Sequence, residues 1–308
     1  AVVSNGFVAL PGEVWRGPCG RPAALRNVVI HFSNPKKVMA LPEKVDEDFE
    51  FIRETVYRLS RISLGPQKKT MVLSRIAKRM RALGHASAKE YCTYLRRPSG
   101  RKELSSLIDV ISTNHTYFFR ESGHFEYLQN RLLAERPRSS RPFKMWSAAC
   151  SSGEEPYSLG MLLMEHSKHQ AGFQWSAEAT DISSIVLAKA EAAEYTEAVV
   201  SRVPGQLRSR YLKLIGEGKY QVAHDIRKRI RFRQLNLFEV PAGFPKDFEL
   251  IVCRNVMIYF DRSTREQLVN MMVERLLPNG TLFVGHSESL SGIKHPLKMI
   301  APAIFVKA

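Results

Sequence analysis

Residues 248–260 read FELIVCRNVMIYF. A short apolar run, Leu250-Ile251-Val252, stops at Arg254-Asn255, and a second apolar stretch stops at Tyr259. The first run has the length and branching of a strand buried on both faces of a parallel sheet. Open α/β sheets bind ligands just past the carboxyl ends of their strands. Arg254, Asn255 and Tyr259 are therefore polar groups delivered to a ligand crevice. Residues 147–158, SAACSSGEEPYS, repeat this logic at another strand end. Together they indicate a nucleotide-binding sheet.

In the second segment small residues let the backbone approach a ligand closely. Pro156 suits the first turn of a helix whose N-terminal amides face the same place. Glu155 can accept hydrogen bonds from ligand hydroxyl or amino groups. The GxGxxG fingerprint is missing, which argues against a nicotinamide site. By spacing alone, the segment fits a tight strand-to-helix turn equally well, with Glu154 and Glu155 compensating the helix dipole. Asp181 ends the next apolar run, where an acid commonly holds ribose hydroxyls. Taken singly it fits a helix N-cap better. TNHTYFFRE, residues 113–121, sets three aromatics beside Arg120. The aromatics read as a plug at a domain junction, and Arg120 as either an ion-pair partner or a functional cation.

The elements that would position these residues alternate. Strands are expected at 143–149, 173–180, 248–253, 281–285 and near 301–306. Helices are expected at 155–168, 183–193 and 263–276, with a turn at Pro278-Asn279-Gly280. This βαβ punctuation predicts a parallel sheet. Residues 211–235 alternate in period two after Gly216 and Gly218, which predicts a small antiparallel subdomain. Apolar residues at helical spacing predict four helices upstream. They are Phe49, Ile52, Val56 and Leu59; then Met71, Val72, Ile76 and Leu83, stopped by Gly84; then Tyr91, Tyr94 and Leu95; then Leu104, Leu107, Ile108 and Ile111. The expected organisation is an irregular extension at 1–42, a helical domain at 43–113, a linking helix and linker at 114–142, and an α/β domain at 143–308.

The chain has 308 residues and a net charge of +16. Residues 1–142 carry 25 of the 46 Lys and Arg but 13 of the 30 Asp and Glu, so most of the excess lies in the first part. That asymmetry implies an acidic partner. Residues 68–81 hold six basic and no acidic residues, namely Lys68, Lys69, Arg75, Lys78, Arg79 and Arg81. They read as a docking face. Cys19, Cys92, Cys150 and Cys253 form no CxxC pair, which argues against a zinc site and a disulfide framework and fits a reducing cytoplasm. No metal pattern occurs among the nine histidines. No apolar run is long enough to span a membrane, and no signal peptide is expected.

In order, TNHTYFFRE, WSAACSSGEEPYSLG, ATDIS, the Asn-Leu of QLNLFE, CRNVMIYF and GHSESL resemble the CheR family of chemotaxis methyltransferases, over roughly residues 45–308. The resemblance implies a Rossmann-like methyltransferase sheet with a small β-subdomain, preceded by an all-helical domain. It implies S-adenosylmethionine as cofactor, S-adenosylhomocysteine as product, and glutamate methyl esters on chemoreceptors as the result. Cofactor contacts are carried over to Asn114, Thr116, Arg120, Glu155, Asp181, Asn236, Leu237, Arg254 and Asn255. Arg120 and Tyr259 match residues near the transferred methyl. The basic helix matches the face thought to meet the acidic methylation helices of receptors.

Two departures bear on this. Ala149 stands where many members have glycine, which is tolerable if its φ stays negative. The loop from Lys213 to Lys219 is short where longer versions bind a receptor pentapeptide, so a tether-independent enzyme is expected; separately, a monomer in the cytoplasm is expected. The enzyme-class rival is a nucleic-acid methyltransferase, which would explain the basic charge. It would need a base-flipping pocket, and the Pro-Pro-aromatic motif of amino-methylating enzymes is missing. The non-catalytic rival is a cofactor-binding module that docks receptors without turnover.

Overall fold

The computed structural model describes residues 47–137 and 141–308. The expected irregular extension at 1–42 lies outside the described residues.

Four helices come first: α1 (Glu47–Ser60), α2 (Lys69–Leu83), α3 (Ala88–Arg96) and α4 (Arg101–Ile111). Their buried faces use the periodic residues read from the sequence, with Ile52, Val56, Val72, Ile76, Tyr91 and Leu107 fully buried. Burying each large aliphatic side chain contributes about 1.5–3 kcal/mol. Leu83 is the exception at 37% exposed, because it sits in the last turn of its helix. Gly84 ends α2 with φ of 74°, and the His85 amide donates back to the Met80 carbonyl. That left-handed cap suits glycine. At the start of α3 the Ser87 hydroxyl accepts from the Glu90 amide, while Glu90 accepts from the Ala86 amide. The reciprocal pair satisfies two otherwise orphaned donors.

The α/β domain follows. Its elements in order are α5 (Ser122–Tyr127), β1 (Phe143–Ala148), α6 (Glu154–His169), β2 (Trp175–Asp181), α7 (Ser184–Ala192), β3 (Glu194–Thr196), α8 (Glu197–Val200), α9 (Gly205–Tyr211), β4 (Leu212–Gly216), β5 (Lys219–Val222), α10 (His224–Arg227), β6 (Ile230–Gln234), β7 (Phe248–Cys253), α11 (Arg262–Arg275), β8 (Leu276–Val284), β9 (Leu297–Ala301) and β10 (Ile304–Lys307). The large sheet has the order β6-β2-β1-β7-β8-β10-β9. Strands β6 through β8 are parallel, and β10 and β9 close one edge as an antiparallel hairpin. The strand order reverses between β1 and β7, and that is where such sheets open a crevice.

Period-two alternation divides the central strands between two cores. Met145, Leu250, Val252 and Phe283 pack with α6, and Trp146, Ile251, Cys253 and Leu282 pack with α11. With both faces covered, β7 reads as an unbroken apolar run from Leu250 to Cys253.

The structure departs from the expectations at four places. First, the antiparallel excursion is the separate sheet β3-β5-β4, within residues 194–222, rather than 211–235. Residues 230–234 instead pair with β2 in parallel. They alternate because β6 is an edge strand. Ile230 and Phe232 meet the core, while Arg231 is exposed and Arg233 pairs with Glu178. Second, the linking helix begins only at Ser122 and runs on as a π-helical turn over Leu128–Leu133. Third, Pro278-Asn279-Gly280 is an interruption inside β8, since pairing jumps from Leu276 opposite Phe248 to Thr281 opposite Leu250. Fourth, the last strand is a pair, β9 and β10.

Hydrogen bonds pin the helical domain beside the sheet edge. The Tyr57 hydroxyl donates to Asp261 at 2.7 Å, and the Ser63 amide to the Tyr259 carbonyl at 2.8 Å.

Candidate active site

A cavity with about 1280 Å³ of empty space, part of it open to solvent, lies at the carboxyl edge of the parallel strands. Its wall brings together Asn114, Thr116, Arg120, Glu155, Asp181, Asn236, Leu237, Arg254, Asn255 and Tyr259. These come from segments up to 145 residues apart, gathered by the ends of β1, β2, β6 and β7.

At the end of β1 the chain turns through Ala149 (φ 66°) and Ser151 (φ 50°). The expectation of a negative φ at Ala149 is therefore corrected. The strand must reverse within a few residues to start α6, and the left-handed region accomplishes this. For alanine that region costs roughly 1–2 kcal/mol. Ala149→Gly relieves this but restores roughly 0.5–1 kcal/mol of unfolded-state entropy. The expected result is a small gain, under about 1 kcal/mol, in urea unfolding; a destabilised glycine variant would contradict the strain.

Asp181 is buried. It accepts from the Ser151 amide at 2.8 Å and the Ser183 amide at 3.0 Å. Burial pushes its pKa up, and the two amides partly oppose that. The cap of α7 is Ser183, so Asp181 is not the N-cap that its position alone suggested.

Glu155 is held by the Ser147 hydroxyl at 2.7 Å and by Arg254 at 3.1 Å. Burial raises its pKa, and Arg254 works against the rise. Arg254, with a side chain only 2% exposed, also pairs with Glu121 at 3.1 Å and donates to the Arg120 carbonyl. Glu121 further accepts from the Asn255 amide at 3.2 Å and the His286 backbone at 3.2 Å. Burial alone would raise its pKa, but Arg254, Asn255 and the His286 amide outweigh it, and the net direction is down.

Sequence reasoning gave no role to Glu121, nor to Glu288. The buried Glu288 accepts from the backbone amides of Asn255, Met257 and Gly285 at 2.8, 2.7 and 2.6 Å. It thereby fixes the loop that carries Asn255 and Tyr259. Both glutamates lie inside quoted motifs, but no spacing rule marks them. The only usable signal for Glu288 is an acid just past an apolar run, where a loop often folds onto a carboxylate.

Arg120 donates to the His115 carbonyl at 2.9 Å and lies 4.0 Å from Glu121. A guanidinium has five N–H groups, so donors remain for a ligand. Phe118 is buried in the core of the α/β domain, edge-on to Tyr195 at 4.9 Å. Phe119 packs on Phe125, but Tyr117 lines the cavity instead. Asn236 spends its amide on the Leu59 carbonyl and its oxygen on the Phe238 amide, so its side chain straps α1 to the sheet edge. Cys150 and Cys253 are packed, and burial pushes both thiols well up, away from nucleophilic use.

Glu121, His124 and His286 offer atoms within 4.8 Å of one another, a spacing a cation could use. The Arg254 guanidinium already occupies Glu121 and opposes a second cation there. Buried His124 is pushed down to about pKa 4, chiefly by desolvation.

The basic face of α2 needs correction. Arg79 is neutralised by Glu103 of α4, with hydrogen bonds of 2.8 and 2.6 Å, and Tyr91 completes the cluster at 2.9 Å. Arg75 caps the end of α4 through the Ile111 and Ser112 carbonyls. Both face their own domain, because their compensating partners are distant in sequence. Lys78 and Arg81 are exposed, and Lys68 lines the cavity with its ammonium 5.5 Å from the Tyr259 ring.

The fold and the cavity define a class: an α/β protein that binds a nucleoside-bearing ligand across the switch point of its sheet. Residues 114–305 match the CheR methyltransferase, SAM binding domain, and residues 47–112 match the CheR methyltransferase, all-alpha domain. The chemotaxis protein methyltransferase of Borreliella burgdorferi is 40% identical over 258 residues, 82% of this chain and 91% of that one. Chemotaxis protein methyltransferase 2 of Pseudomonas aeruginosa is 37% identical over 85% of this chain and 93% of its own. The Escherichia coli chemotaxis protein methyltransferase is 34% identical over 84% and 90%. The chain belongs to the CheR methyltransferase family. It is an S-adenosylmethionine-dependent methyltransferase of chemotaxis.

The cavity fits that cofactor. It has room for the molecule, two carboxylates (buried Asp181 and partly buried Glu155), and a turn of small residues at the N-terminus of a long helix. Among the described residues, no helix is long and apolar enough to cross a membrane.

Proposed function

We propose that the protein methylates glutamate side chains in the cytoplasmic methylation helices of chemoreceptors, as a protein-glutamate O-methyltransferase. One observation carries this reading. The cavity that gathers the cofactor residues also presents Arg120, Lys68 and the Tyr259 phenol, so it selects an anionic acceptor. A glutamate carboxylate is already ionised at neutral pH and needs no general base. The buried carboxylates are committed to structural partners, which agrees with a reaction that requires none.

The bound cofactor supplies a methyl group on a sulfonium. Asp181 would hold ribose hydroxyls alongside its two backbone amides, and Glu155, Arg254 and Asn255 would form the remaining polar wall. Asn114, Thr116, Asn236 and Leu237 complete the binding set, with Asn236 contributing through its backbone because its side chain is used. The acceptor carboxylate would be the nucleophile toward that methyl group, and the protein's own residues need only orient and desolvate it. Arg120 orients one acceptor oxygen through charge-assisted hydrogen bonds, and Tyr259 positions acceptor or cofactor through its hydroxyl. In-line placement and exclusion of water supply most of the acceleration.

Lys68, Lys69, Lys78 and Arg81 form the docking face for the acidic helices. Reversing Lys78 and Arg81 to glutamate is expected to raise the KM for receptor several-fold and to leave cofactor affinity unchanged. Wild-type methylation should also weaken as salt increases. A flat salt series would remove the docking face from the account.

The hairpin between β4 and β5 turns through only Glu217 and Gly218. That short turn supports a tether-independent enzyme.

The test is incubation with methyl-labelled S-adenosylmethionine and membranes containing chemoreceptors, followed by mild base. Label on receptor that is released as methanol is the expected result. Label on added nucleic acid, or cofactor binding without transfer to any receptor, would overturn it.

A further inference from the structure

Tyr117 lies on the cavity wall, and two arginines lie near its ring. The Arg202 guanidinium carbon sits 4.2 Å from the ring centroid, and that of Arg120 lies 5.8 Å from it. Arg202 comes from the turn between α8 and α9 and is exposed. That turn is firmly seated. Val200 and Val203 on either side are buried in the main core, and the Val203 amide donates to the Val200 carbonyl at 3.0 Å. Among the described residues no carboxylate pairs with Arg202, whereas Arg208 six positions on is held by Glu197. A guanidinium stacked on a ring keeps its in-plane N–H fork available for an oxyanion. Arg202 is thus an anion donor without a carboxylate partner, set against a ring that lines the cavity and one ring away from Arg120.

We infer that Arg202, seated on Tyr117, is a specificity-determining contact that binds a second acidic side chain on the methyl-accepting helix. This rests on the glutamate reading proposed above. The spacing sets the position of that side chain. Side chains three or four residues apart on a helix lie about 5–6 Å apart, and each further turn adds about 5.4 Å. The distances of the two arginines from the shared ring keep them within about 10 Å of each other, so the second acid lies within about two turns of the methylated glutamate. Recognition at the mouth then has two sides. The lysines of α2 attract the acidic helix, and Arg202 reads its register.

The test uses a purified cytoplasmic hairpin of a chemoreceptor reduced to one methylatable glutamate. Acidic residues three, four and seven positions away are changed in turn to glutamine. Wild-type, Arg202→Lys and Arg202→Glu enzymes are compared by initial rates, with thermal unfolding to verify that each variant is folded. Arg202→Glu is expected to raise the KM for the fully acidic hairpin about 5- to 10-fold, with kcat and cofactor affinity within about twofold. Arg202→Lys, which keeps the charge without the planar fork, should recover part of the loss. In one glutamine hairpin the wild-type and Arg202→Glu enzymes should become equal. The inference is overturned if KM is unaffected, or if it rises equally for every hairpin, which would be a general charge effect. Absence of base-labile label on the hairpin with wild-type enzyme would instead defeat the glutamate reading, and this inference with it.

Discussion

Arg254→Ala is expected to lose about 3–5 kcal/mol of stability at neutral pH, the cost of stripping a buried ion pair of one partner. The guanidinium is the counter-charge for both Glu155 and Glu121, and it also holds the Arg120 carbonyl. Without it, Glu155 keeps one hydroxyl donor in a desolvated site, and Glu121 keeps two amide donors and the more distant Arg120. The pH dependence has a definite sign. Burial already raises the Glu155 pKa above its ordinary value, and removing Arg254 raises it further. The folded variant then binds a proton that the unfolded chain has released, so its stability falls as pH rises from about 4.5. The gap to wild type should narrow on acidification. Urea unfolding at pH 7 and pH 5 measures both effects. A second Glu155→Gln change in the Arg254→Ala background should restore part of the stability by removing one stranded charge. Cofactor affinity should fall at least tenfold in the single variant, as titration calorimetry would report. Wild-type stability at neutral pH would show that the pair is not holding this wall.

Arg120→Ala is expected to do the opposite. The fold persists while turnover drops on the order of 10²–10³-fold. Its side chain is 26% exposed and makes one hydrogen bond to a backbone carbonyl, so little packing depends on it. Its remaining donors lie on the cavity that Tyr259 also lines. Losing them leaves the acceptor carboxylate unoriented. Initial rates on receptor membranes, with unfolding midpoint and cofactor affinity as controls, separate the roles. Near-wild-type turnover would remove Arg120 from the mechanism. Arg120→Lys should recover only part of the rate, because an ammonium lacks the bidentate fork.

The two variants also mark the boundary of what could be read in advance. Arg120, Glu155, Asp181 and Arg254 stand out from sequence because each follows an apolar run or adjoins a small-residue turn. Glu121 and Glu288 do not stand out, although one steadies Arg254 and the other the Asn255 loop. Their partners lie 133 and 33 residues away. The docking helix shows the same limit. Six basic residues without an acid look like one charged face, yet Glu103, 24 residues beyond Arg79, turns part of that face inward.

The sequence by itself determined the four N-terminal helices, the strand–helix alternation of the parallel sheet, and the motifs that carry the family resemblance. Those signals are local: apolar periodicity, turn residues and short runs of fixed spacing. The tertiary structure alone decided that residues 230–234 join the parallel sheet as its edge. It also decided that Ala149 adopts a left-handed backbone, that Arg75 and Arg79 are structural, and that Arg202 stacks on Tyr117. Each of these depends on which distant segment supplies a hydrogen-bond ladder, a counter-charge or a ring. Such pairings are set by packing between elements, and no window along the chain contains both partners.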